Sequence, residues 1–262
     1  MASVTLMTFL QQQLPSFQAH PPPVPSVNTK SKRFSYLDIH SLRTWDAFNL
    51  DTILHQYRQI LDNTVIDHDR VPPSPPRPMT NESVIRAEVC EILRPRVRRS
   101  LRVGFAFMAA ENIMQGRTGL SFDVGDAARI IDLCKPDLAT FDINVVPTSA
   151  PNRVPGDIKP SWKWGTEMRD SQDIQKWKEF RQALSQVNFY MNQHNTRYGY
   201  IVTDQELVAI RKLDRNGNLE LSHPILWSTG STATQPELTV LLALWYIGML
   251  ASQNEGDNQW EM

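Results

Sequence analysis

The sequence predicts an α/β domain in which helices flank a mixed central sheet. Three observations lead there. Residues 171–194 carry Ile174, Trp177, Phe180, Leu184, Val187 and Met191 three or four apart, the spacing of one helical face. Directly after them, 197–204 and 206–214 read as two strands joined at Asp204-Gln205, and the RNGN of 215–218 is a hairpin-turn signal. Helical segments stand on either side, one opening near Thr80 and one running from Pro236 to about Ser252.

Composition bounds the rest. The chain has 262 residues, 41% hydrophobic and 21% charged, ordinary for a globular protein with a sizeable core. Its formal net charge is −1, which excludes a globally basic nucleic-acid binder and leaves only a local patch for such a partner. Cys90 and Cys134 make no disulfide framework and lack zinc spacing, so both are expected as reduced core thiols. Residues 1–17 lack a basic start and a long apolar run, and the most apolar stretch, 238–250, is too short to span a bilayer. The expectation is an intracellular protein, cytoplasmic or nuclear, with no signal peptide and no membrane segment.

Taken in order, residues 3–13 predict a short helix ended by Leu14-Pro15, and 20–33 a Pro-rich linker with a basic end. Residues 42–63 predict a helix with Leu50, Ile53, Leu54, Tyr57, Ile60 and Leu61 on one face, and 71–78 is a second Pro-rich break. The expected organisation is therefore an N-terminal appendage over 1–78, partly disordered, a core over 79–252 and a polar tail over 253–262. Thr80 and Asn81 are candidate caps of the first core helix, with Val84, Ile85, Val89 and Ile92 or Leu93 inward and Pro95 expected to kink or end it. Strands are expected over 103–108, 119–124, 136–146 and 153–159, the last stopped by Pro160. There is no internal repeat.

The chemistry concentrates in PGDIKPSWKW, residues 155–164. On a strand, Asp157 and Lys159 share a face and Ile158 points into the core. Pro136-Asp137 stands at the start of another strand twenty residues earlier. Pairing of the two strands brings Asp137 and Asp157 together, and two adjacent carboxylates repel unless they share a proton or a cation. A hard divalent ion suits such oxygen ligands. Beside it, Lys159 would orient or deprotonate a water, or stabilise charge on a phosphate. The helix that follows carries Gln186 and Tyr190 four apart, on one face.

Pro-Asp, then Asp-x-Lys, then Gln-x-x-x-Tyr resembles the PD-(D/E)XK nuclease superfamily, in its RecB-type and lambda-exonuclease-type branch. PGDIKPSWKW, LSQVNFYM, RYGYIVTDQELVAI and LTVLLALWYIGMLA also look like a fungal family assigned to that superfamily. The resemblance covers about 80–252 and implies a restriction-endonuclease-like core with an N-terminal helical, Pro-rich extension. It implies a metal-dependent nuclease using Mg²⁺ or Mn²⁺. Asp137, Asp157, the carbonyl of Ile158 and a first-helix glutamate would hold the ion, and Gln186 and Tyr190 would position Lys159 or substrate. Glu82 fits the family's helix opening best and Glu88 is next, with Glu91 a third candidate. Glu82 and Glu88 lie about 240° apart around a helix, so both cannot serve. Asp142 is a possible substitute for Asp137. The sequence departs from the fungal family at Ile85-Arg86, where that family tends to show Trp-Asn. A scaffold that has lost its catalysis, kept as an interaction module or turned to small-molecule metabolism, is the alternative.

Two further features stay open. Arg94, Arg96, Arg98, Arg99 and Arg102 read either as a phosphate-facing patch for nucleic acid or as a solvated helix end. Trp162 and Trp164, around Lys163, either stack on bases or pack at the core rim. His194 and His223 are isolated and neither is expected to be a ligand. No P-loop, dinucleotide-binding, nucleophile-elbow or zinc-protease motif occurs.

Overall fold

The computed structural model describes residues 3–23, 26–68, 78–146 and 148–262. Its centre is an eight-stranded mixed sheet. In chain order the strands are β3 (Ser41–Thr44), β6 (Leu120–Val124), β7 (Leu138–Asp142), β8 (Gly156–Ile158), β9 (Tyr198–Val202), β10 (Glu206–Lys212), β11 (Asn218–Leu221) and β12 (Ile225–Leu226). Across the sheet the order is β3, β11, β10, β9, β8, β7, β6, with β12 also on β10. Two-stranded ladders join β1 (Ser3–Thr5) to β4 (Val65–Asp67) and β2 (Gln18–Ala19) to β5 (Pro78–Met79).

Alternation along the strands sorts the core into two layers. On one side, Tyr198, Tyr200 and Val202 of β9 pack with α1 (Leu6–Leu10), α2 (Leu50–Asn63), α3 (Glu82–Ala110) and α5 (Val240–Ala251). On the other, Ile201, Val208 and Ile210 pack against Phe180, Leu184, Val187 and Met191 of α4 (Ile174–Gln193). The expected face of α4 is therefore the buried one, except that Ile174 at its start is exposed and Trp177 is only half-buried. The expected strands at 119–124, 136–146, 153–159, 197–204 and 206–214 are β6 to β10, and the 215–218 turn joins β10 to β11 antiparallel.

Other expectations are corrected. Pro95 does not end α3, which runs 29 residues from its Asn81 cap. Residues 103–108 are therefore helix, not strand. Past Pro95, Val97, Leu101, Phe105 and Met108 recur at helical spacing and are buried. Four such burials, at about 1.5–3 kcal/mol each, outweigh the roughly 3 kcal/mol that a proline costs inside a helix. Gly104 lets the Trp245 indole of α5 approach, since a Cβ there would lie 3.2 Å from its Nε1.

The first residues are not an appendage. Leu6, Met7, Phe9 and Leu10 of α1 are buried in the larger core. Residues 41–44 form β3 rather than helix and pair in parallel with β11, while α2 starts only at Leu50, after its Asn49 cap. The first helix also meets the approach to the last. Gln11 exchanges two hydrogen bonds with the Glu237 backbone at 3.0 and 2.8 Å, and Thr239 Oγ1 donates to Leu10 O at 2.6 Å. Within the first Pro-rich segment, Asn28 is buried and donates to the carbonyls of Lys163 and Glu179. The second falls mostly at 71–77, outside the described residues. The polar tail is also tied down. Arg153 lies over the Trp260 ring at 4.4 Å, and Arg197 N donates to Trp260 O.

Candidate active site

The central strands build the site. β7 and β8 pair antiparallel with Leu138 opposite Gly156, and Asp137 N donates to Gly156 O at 3.1 Å. That register sets Asp137 across from Asp157. Asp137 Oδ2 also accepts from Ile158 N at 2.9 Å, which fastens its carboxylate to β8. On the other edge, β8 runs parallel to β9, and Lys159 N donates to Val202 O. Held on both sides, β8 turns Ile158 into the larger core and Asp157 and Lys159 away from it.

Asp157 and Lys159 form a buried ion pair, 2.6 Å between Oδ2 and Nζ with each side chain 3% exposed. Lys159 Nζ also donates to Gln186 Oε1 of α4 at 3.2 Å, and Gln186 Nε2 donates to Tyr190 Oη at 2.9 Å. The i, i+4 spacing on α4 thus makes a chain of three side chains ending at Asp157. From the N-terminus of α3, Glu82 Oε1 lies 4.0 Å from Lys159 Nζ, and Glu82 Oε2 accepts from Lys163 Nζ at 2.7 Å. Glu88 sits half-buried further along α3 and Glu91 is exposed, so Glu82 is the first-helix glutamate that reaches the lysines.

The electrostatics follow from burial. Asp137 is pushed up to about 7, first by burial and then by the Asp157 charge. Arg86, the Ile158 N–H and Lys159 pull the other way without prevailing. Burial disfavours the Lys159 ammonium, but the Asp157 charge and hydrogen bond, with Asp137 and Glu82, raise it above the ordinary lysine value. Lys159 is therefore a fixed cation. Burial would raise Glu82, yet the Lys163 hydrogen bond and the charges of Lys159, Lys163 and Arg86 hold it below the usual value. Burial, then Asp157, pushes the Tyr190 phenol far up, so it stays protonated.

Two participants escaped the sequence reading. Arg86 Nε lies 2.8 Å from Asp137 Oδ1, four residues along α3 from Glu82 and on the same face. That spacing was a usable signal. Lys163 is returned by the tight turn in which the N–H groups of Lys163 and Trp164 donate to Pro160 O. Three acids, Glu82, Asp137 and Asp157, thus face three cations, Arg86, Lys159 and Lys163. Gly156 matters as well. A Cβ there would lie 2.1 Å from Cζ of Tyr200, whose ring lies against the strand.

Several expected participants lie elsewhere. Asp142, at the far end of β7, faces Arg153 at 3.7 Å and does not replace Asp137. The arginine run does not form one phosphate-facing patch. Arg94 and Arg98 pair with Asp123, and Arg96 is buried and donates to Ile92 O. Arg99 donates to Asp67 O and lies over Phe9, and Arg102 is exposed. Trp164 is fully buried and stacked on Phe180 at 5.4 Å, and Trp162 packs at the edge of the larger core. His194 is buried, with Nδ1 accepting from Asn152 N at 3.2 Å, and His223 stands 3.8 Å from Asp46. Cys90 and Cys134 are free thiols.

Asp137 and Asp157 are the residues that suit a hard cation, being close, buried and mutually repelling. Among the described residues, no group of three or more His, Cys, Asp or Glu side chains is gathered to hold a metal. No helix of the described residues is long and apolar enough to cross a membrane. A scan against protein-family models and searches of curated proteins and of solved structures find no match to this chain.

Proposed function

We propose that the chain is a metal-dependent phosphodiesterase of the PD-(D/E)XK type, acting on DNA or RNA. One observation carries the reading. Asp137, directly before β7, lies across from Asp157 of β8, Lys159 is 2.6 Å from Asp157, and Gln186 of the following helix, itself bonded to Tyr190, is hydrogen-bonded to that lysine. Asp137 and Asp157 would hold Mg²⁺ or Mn²⁺, which when bound lowers the pKa of a coordinated water and polarises the phosphoryl group.

The chain's own groups do the rest. Lys159, held as an ammonium, offers positive charge to the phosphate as negative charge builds on it, and does not act as the base. Gln186 fixes its direction by accepting from Nζ, and Tyr190 fixes Gln186 by accepting from its amide N–H. Lys163 keeps Glu82 ionised at the mouth of the site.

The test is cleavage of single- and double-stranded DNA and RNA with Mg²⁺ or Mn²⁺, beside Lys159→Ala and Asp157→Asn. Metal-dependent cleavage lost in both variants supports the reading. No cleavage by any protein, or equal cleavage by all three, overturns it.

A second reading has its own observation. Arg86, Lys159 and Lys163 already balance Glu82, Asp137 and Asp157. A repurposed scaffold, serving as an interaction module or in small-molecule metabolism, is built from the same residues without the ion. Calorimetric titration with Mn²⁺ separates the two: no binding by a folded wild type favours the second.

A further inference from the structure

A cavity of about 390 Å³ opens on a different face of α4 from the one that carries Gln186 and Tyr190. Its floor is Ser185, Asn188, Phe189 and Asn192, spaced i, i+3, i+4, i+7 and so one continuous helical stripe. Arg33, from the segment before β3, lines one side, and Arg215, from the β10–β11 turn, lines another. The volume lies within the usual range for small-molecule sites, about 300–1,000 Å³.

The floor is polar where a helix facing the core is expected to be apolar. Asn188 is only 4% exposed, yet its Oδ1 has no hydrogen-bond partner among the described residues. An orphan buried acceptor costs about 1–3 kcal/mol, so Asn188 Oδ1 is open to a donor entering the cavity. The walls are cationic. Arg33 and Arg215 each spend part of the guanidinium on backbone or side-chain acceptors, Asp132 O and Asn195 Oδ1, and five N–H donors leave others free. Behind Asn192, Lys212 Nζ donates to Asn192 Oδ1 at 3.1 Å. Its ammonium is held down to about 8 by burial, then by Arg215 and Arg197, with the Asp214 charge opposing them. Asp38, the acid at the rim, has Oδ2 committed to Ser35 N at 2.7 Å.

We propose that this cavity is a second binding site for a mononucleotide, its phosphate between Arg33 and Arg215 and its base against Phe189 with its edge on Asn188. Paired guanidinium groups suit phosphate, an amide matches the donor and acceptor edge of adenine, and a half-buried ring offers a face for stacking. The site stands whether or not the Lys159 cluster is catalytic.

The experiment is isothermal titration of the full chain with adenosine 5′-monophosphate, inorganic phosphate and adenosine. The expected order is the mononucleotide tightest, with its binding weakened at least about tenfold in Arg215→Gln and in Asn188→Leu, and unchanged in Lys159→Ala. Arg215 is exposed, so its substitution leaves the fold intact and keeps the test decisive even where Asn188→Leu fails to fold. No binding of the mononucleotide at millimolar concentration overturns the site. So does equal binding by wild type and Arg215→Gln. Phosphate alone binding as tightly as the mononucleotide overturns the assignment of the base, and loss in a Lys159→Ala protein whose circular dichroism matches wild type moves the binding to the other site.

Discussion

The Arg86 guanidinium sits on Asp137, 2.8 Å from Nε to Oδ1, with the arginine side chain 47% exposed and the carboxylate 9% exposed. A tethered cation thus stands where a divalent ion would be drawn. Removing it is expected to strengthen ion binding. Arg86→Gln should bind Mn²⁺ more tightly than wild type by up to about fivefold, the equivalent of the ~1 kcal/mol that a half-exposed pair contributes. Calorimetric titration measures this directly, and unchanged or weaker affinity rules out competition at Asp137.

The Asp157–Lys159 pair is buried on both sides, so breaking it from one side strands a charge. Lys159→Met is expected to lower unfolding stability by about 3–5 kcal/mol. Asp157→Asn combined with Lys159→Met should cost clearly less than the two single changes added together. Urea unfolding of the four proteins checks this, and simple additivity would show that the two groups do not share one buried interaction.

Gly156 is required by what lies over it. Gly156→Ala puts a methyl 2.1 Å from Cζ and 2.3 Å from Oη of Tyr200, and overpacking of this kind costs about 1–3 kcal/mol. Adding Tyr200→Ala should recover part of that loss. Tyr200→Phe alone should be neutral or stabilising, because the buried hydroxyl has no partner among the described residues.

His194 gives the acid limb of stability. Burial holds it down to about 4, below its ordinary 6.5, with the Arg129 charge adding to the effect. The unfolded chain therefore binds a proton more readily than the folded one between those two values. The contribution of the neutral ring is complete above about 6.5 and is lost as pH falls toward 4. Denaturant unfolding at pH 7, 5.5 and 4.5 should show a drop in wild type that is smaller in His194→Asn, whose amide keeps an acceptor for Asn152 N. Parallel profiles for the two proteins would remove His194 as the cause.

Much of this was legible where local pattern and burial agree. The α4 face, the β9–β10–β11 meander and the two strands bearing Asp137 and Asp157 follow from periods of 3.6 and 2. That Asp157 and Lys159 share one face, and Gln186 and Tyr190 another, was readable for the same reason, since i, i+2 on a strand and i, i+4 on a helix fix a face, whereas the link from Lys159 to Gln186 was only what the resemblance implied. What failed depended on partners far away in the chain. β3 is four residues whose strand state exists through pairing with β11, and α3 survives Pro95 through contacts with α5. Lys163 reaches Glu82 because of a turn whose direction no periodicity encodes. The arginine run read equally as a phosphate surface or a solvated helix end, and four of its charges are spent on Asp123, Ile92 O and Asp67 O, acceptors visible once α3 extends past Pro95, while Arg102 is exposed.

The hydrogen bond from Thr239 to Leu10 closes a loop of 229 residues. During translation at about 5–20 residues per second, α1 leaves the ribosome roughly 10–45 s before its partner exists. Through that interval Leu6, Met7, Phe9 and Leu10 have no finished core to enter. Until α5 is made, α1 can therefore pack only on the earlier elements α2, β4 and α3.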